Sequence, residues 1–138
     1  MRIGSDNEHV DILALERTSP GAPVEDIRVK ITVTLREFFG TYDSVYLELS
    51  ALAEFVESLI CLERTRFGEA VLQSMSPDEF SLKLRSRDGL GHLVVEATLQ
   101  RHQYSGPTYW PTKVSGGFEL EAEDLPKIVS QFRGLVDG

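Results

Sequence analysis

Three histidines, one cysteine and 22 carboxylates are the groups in this 138-residue chain that could carry acid–base, nucleophilic or metal chemistry. His9, His92 and His102 lie in separate segments, outside any HxH, HExxH or CxxC spacing that announces a metal site. Cys61 falls close to the apolar stripe of a predicted helix, where a thiol behaves as a small hydrophobe and its pKa rises away from nucleophilic use. The sequence has no Gly-x-Ser-x-Gly elbow. Neither "GLG" (89–91) nor "SGG" (115–117) is followed by the helix start and lysine of a phosphate loop. The carboxylate groups Glu54 with Glu57, and Glu121 with Glu123 and Asp124, read as solvated faces or as charges suited to a helix N-terminus. An acid–base role would need one of them in an apolar pocket.

His92 is the remaining candidate for catalysis. Glu96 shares its side of a predicted strand, but two side-chain repeats separate them by about 13 Å in an extended chain. No nucleophile or oxyanion donor stands beside His92, so it reads as a hydrogen-bonded residue on a half-exposed sheet. The expectation is no catalytic residue, no metal and no cofactor.

These groups are positioned by elements whose periodicity is readable. "HVDILALER" (9–17) predicts a first strand, and "TSPGAP" (18–23) a loop. "RVKITVTLRE" (28–37) alternates, with Val29, Ile31, Val33 and Leu35 on one face. "FGTYD" then reads as a turn, and "SVYLEL" (44–49) as a third strand. Ser50 is placed to cap a helix over 51–64, whose Leu52, Phe55, Val56, Leu59 and Leu62 form one stripe. "EAVLQS" and "FSLKLRSR" follow as strands. Asp88-Gly89 is a hairpin turn signal leading into a strand with Leu93, Val95, Ala97 and Leu99 on its inner face. "HQYSGPTYWP" (102–111) is a loop, and "TKVSGGFELE" (112–121) a last strand. In that strand Gly116 and Gly117 predict a bulge or a close backbone approach. The final helix, 122–136, carries Leu125, Ile128, Val129, Phe132 and Leu135, with Pro126 in its first turn.

The order β-β-β-α-β-β-β-β-α predicts an α+β fold: one antiparallel sheet of six or seven strands with both helices on one face. Length and composition fit a single domain over residues 1–138, with residues 1–8 expected to be flexible. The N-terminus has no apolar stretch of a secretory signal, and a lone cysteine cannot form an internal disulfide. Both point to the cytoplasm. A net charge of −8 without a basic stripe argues against nucleic acid and against anionic membrane surfaces, and it serves either solubility or a basic partner.

Helices on one side leave the other sheet face to water or to a partner. Tyr46, His92 and Glu96 would stand on it, among Thr32, Thr34, Lys83, Arg85, Val94 and Thr98. The 102–111 loop adds Tyr104, Tyr109 and Trp110. These are either interface anchors or a plug over the core edge. Tyr46, His92, Glu96, Tyr109 and Trp110 are the candidate binding residues.

The stretches "LELSALAEFVESLICL", "GEAVL", "FSLKLRSRDGLGHLVVEATLQ" and "GGFELEAEDLPKIVSQFRGLV" resemble small bacterial proteins related to the WapI-like immunity proteins of contact-dependent toxin systems. The resemblance covers about residues 28–136 and rests on core and turn positions, with no catalytic motif. It implies a non-enzymatic, inhibitor-type binding protein that occludes a toxin. The alternative from the residues themselves is a structural or regulatory homo-oligomer, paired through a sheet edge or an open face.

Overall fold

The computed structural model describes residues 1–88 and 90–138. The Asp88-Gly89 turn signal therefore lies partly outside the described residues. Four strands form a first antiparallel sheet in sequential order: β1 (Arg2–Gly4), β2 (Glu8–Arg17), β3 (Asp26–Leu35) and β4 (Phe38–Glu48). Helix α1 (Leu49–Thr65) follows. A second antiparallel sheet then has the order β10-β7-β6-β5, from β5 (Glu69–Gln73), β6 (Phe80–Ser86), β7 (His92–Arg101) and β10 (Thr112–Glu121). Between β7 and β10 stands a small hairpin, β8 (Tyr104–Ser105) with β9 (Thr108–Tyr109). A single 3₁₀ turn over Ala122–Asp124 leads into α2 (Leu125–Asp137).

The class is the α+β, antiparallel one that the periodicity predicts, but the strands divide into two sheets of four. Helix α1 causes the division. It takes the chain off the edge of the first sheet at β4 and delivers it to β5, which pairs with β6. The two sheets meet where β3 and β4 pass over β7 and β10, and one apolar core is shared by both sheets and both helices. Val29, Ile31, Val33, Leu82, Leu84 and Val95 are completely buried in it. The helices pack on each other through Phe55 and Phe132, whose rings meet edge to face at 4.9 Å.

Several local expectations need correction. The β3–β4 turn is Arg36-Glu37, with Arg36 at φ 61°, while "FGTYD" lies inside β4. Gly40 marks a close approach there, since a Cβ would stand 3.0 Å from the Val114 side chain. Helix α1 starts at Leu49 with Glu48 at its N-cap position and no side-chain cap. The Ser50 hydroxyl donates instead to Glu48 at 3.3 Å. The N-terminal stretch expected to be flexible contains β1, three residues too short for any periodicity to show. Ile3 is fully buried, and the Arg2 guanidinium grips Asp11 of β2 at 2.8 and 2.9 Å. That hydrogen-bonded pairing holds the Asp11 carboxyl below its ordinary range.

Candidate protein-binding surface

Alternation along β7 sends Val95 and Leu99 inward and leaves His92, Glu96 and Gln100 on the outer face. His92 stands at the start of the strand, exposed, with its ring Nδ1 2.7 Å from Asp88. That carboxylate raises the His92 pKa above its ordinary value. The Leu90 backbone N–H, and after it His92, lower that of Asp88. Glu96 is engaged elsewhere, accepting the Arg85 guanidinium at 2.9 Å from the neighbouring strand. It lines a shallow depression with Lys83, Thr98 and Gly117, and His92 is not part of that lining. The two residues do not form a constellation.

Tyr46 lies on the other sheet. It pairs with Arg28 of β3, so the single polar face expected to hold Tyr46, His92 and Glu96 is divided between two sheets. Splitting the strands into two layers gives each layer its own outer face.

Two backbone hydrogen bonds and the segment between them link the Tyr46 position to the base of the aromatic hairpin. The Tyr46 carbonyl accepts the Met75 N–H at 2.9 Å. The 76–79 turn then runs to Glu79, whose carbonyl accepts the Gln100 N–H at 2.8 Å, at the base of the β8–β9 hairpin. There the Tyr109 hydroxyl is hydrogen-bonded by the His102 ring, which also stacks on the Tyr109 ring at 5.6 Å. The Tyr104 ring is tilted against that of Tyr109 at 5.2 Å. Arg101 lies over the Tyr42 ring at 5.9 Å and ties the hairpin base to β4.

Trp110 is 58% exposed, Tyr104 73% and Tyr109 42%, so this hairpin does not plug the core. Aromatic side chains held outside a core, on a hairpin braced by their own ring contacts, are anchors of the kind that dominate protein interfaces. The sequence reading missed Phe38 and Phe39, both largely exposed beside the β3–β4 turn, and Met75, exposed next to Tyr46. Strand alternation had no means of marking Met75, which sits in a turn.

Cys61 is on the exposed side of α1, not in its stripe. No group of three metal-ligating side chains converges among the described residues. No described helix is long and apolar enough to cross a membrane.

The sequence matches the WapI-like immunity protein family over residues 1–137. The chain belongs to that family. The match takes in the N-terminal strands β1 and β2, which the resemblance over 28–136 had left outside. Among curated proteins and among solved structures none matches the chain.

Proposed function

We propose that this immunity-family chain is a non-enzymatic inhibitor, which binds a toxin protein and occludes it. Membership of the family across residues 1–137 carries the reading. The exposed aromatic hairpin supports it, since large apolar side chains held in water gain most when a partner covers them. Of the candidate binding residues, Tyr46, Tyr109 and Trp110 belong to the proposed contact surface. His92 and Glu96, at the start and middle of β7, lie away from the hairpin end and contribute less.

The test is co-expression of the chain with a toxin whose gene is found beside its own. Restored growth, together with a stable complex on gel filtration, is the expected result. Growth arrest despite soluble chain would overturn the reading. Self-association of the chain without toxin binding would favour a homo-oligomer. Trp110→Ala with Tyr109→Ala should weaken the complex at least a hundredfold while leaving the fold unchanged, because both side chains stand outside the core.

A further inference from the structure

A groove runs along the N-terminal half of α1. One wall is Ala51 and Glu54 of the helix, and the other is Val71 of β5 and Met75 beyond it. Past Glu48 it meets a depression lined by Val24 and Glu25 of the β2–β3 loop. Past Met75 it meets another, lined by Tyr46, Asp26 and Glu79. The two adjoin, since Asp26 follows Glu25 and pairs with Glu48 across β3 and β4. From Glu79 the groove abuts the base of the aromatic hairpin through Gln100.

Two independent features meet in this groove. The first is apolar: Val24, Tyr46, Val71 and Met75 all stand well exposed along it. The second is electrostatic. Its ionisable lining consists of Glu25, Asp26, Glu48, Glu54 and Glu79, with no lysine or arginine among them. Some carboxylates elsewhere are neutralised by neighbours, as in Glu16 with Arg28, Glu96 with Arg85 and Glu119 with Arg87. Among the described residues no ion pair includes any of the five groove carboxylates. Glu48 accepts only the Ser50 hydroxyl, and Glu25 the Gly21 N–H.

Like charges gathered around exposed apolar groups repel one another until opposite charge is brought in. A metal ion does not answer to the apolar side chains, and no metal-ligating group forms among the described residues. Nucleic acid has the wrong sign. A protein segment bearing Lys or Arg beside aliphatic side chains satisfies both features together.

We infer that this groove is the docking site for a basic, amphipathic segment of the protein partner, with the aromatic hairpin as the adjoining anchor. The inference rests on the inhibitor reading and names the chemistry of what is inhibited.

The probe is a twelve-residue helical Lys/Leu peptide, titrated into the isotope-labelled chain at low ionic strength. Amide shifts are expected at Tyr46, Glu48, Glu54, Val71 and Met75, and binding should weaken steeply as salt rises. An all-Lys peptide should bind at least fivefold more weakly, and a Glu/Leu peptide not at all. Glu48→Gln with Glu54→Gln should weaken the Lys/Leu peptide at least tenfold. Glu25→Gln with Glu79→Gln gives a second, separately placed variant with the same expectation. Glu121→Gln with Glu123→Gln, at the start of α2, should leave affinity unchanged. Absence of binding, shifts spread over every acidic segment, or equal loss in the α2 variant would overturn the inference. Protection by the chain in co-expression without peptide binding would sink this inference alone. Peptide binding without protection would sink the inhibitor reading alone.

Discussion

The Asp88–His92 contact illustrates how one residue's environment was legible in type but not in partner. Sequence spacing weighed His92 against Glu96, four positions along an extended strand and out of reach. The hairpin turn folds the chain back and puts Asp88, four positions the other way, at hydrogen-bond distance. The His92 pKa is raised chiefly by that bond, so the folded chain holds the imidazolium proton more tightly than the unfolded chain does. Its stabilisation is complete below the ordinary value of 6.5 and is lost as pH rises through the folded value. Asp88 is lowered first by the Leu90 N–H and then by His92. Its stabilisation is complete above 3.8 and is lost as pH falls through the folded value. The pair is thus at full strength between about pH 3.8 and 6.5. An NMR titration should place the His92 midpoint above 6.5, and Asp88→Asn should bring it back down. An unchanged midpoint in Asp88→Asn would show that the two side chains do not meet in solution. Both groups are solvent-exposed, so the shift should alter the turn and leave the global fold standing.

Among the elements, β10 shows what period-two reading reaches and what it misses. Alternation places Phe118 and Leu120 inward, and they are buried. Two adjacent glycines in this strand signal either a bulge or a close approach. Its register with β7 is continuous from Thr112 to Glu121, so close approach is the cause. The two glycines are tight for different reasons. A Cβ at Gly116 would meet the tip of the Leu35 side chain at 2.8 Å, where β3 of the other sheet crosses β10. One at Gly117 would meet the Val95 carbonyl of the paired strand at 2.7 Å. A leucine terminus can rotate away, whereas a backbone carbonyl in a ladder cannot move without disturbing its hydrogen bonds. Gly117→Ala should therefore lower stability by about 1–3 kcal/mol, and Gly116→Ala by less than about 1 kcal/mol. Denaturant midpoints in the reverse order would mean that the crossing between sheets is the more rigid contact.

At the scale of the whole molecule, the sequence specifies which face of each strand is apolar but not which strand lies beside it. Alternation at 28–37, 80–87 and 91–101 identifies Val33, Leu84 and Val95 as interior residues whether the strands form one sheet or two. Pairing partners are decided by where helix α1 deposits the chain, and nothing periodic encodes that. The proposed interface has the same limit. Tyr46, Tyr109 and Trp110 stand out by residue type, while Glu48, Glu54 and Met75 become neighbours only through tertiary packing. Because both sheets and both helices contribute to one core, the two sheets should not unfold separately. Phe132 tests this. It is fully buried in α2, in edge contact with Phe55 of α1. Phe132→Ala should remove about 3–5 kcal/mol through lost burial and the remaining cavity. If the core is one cooperative unit, amide protection in β3 and β7 should fall together by similar factors. A loss confined to β7, with β3 as protected as before, would show two independently stable layers. The groove and the aromatic hairpin, which draw on both sheets, would then depend on a hinge between layers. Joint loss would mean that the shared core holds the residues of the proposed interface on β4, β5 and the β8–β9 hairpin in one rigid arrangement before any partner arrives, which lowers the ordering entropy opposing its capture.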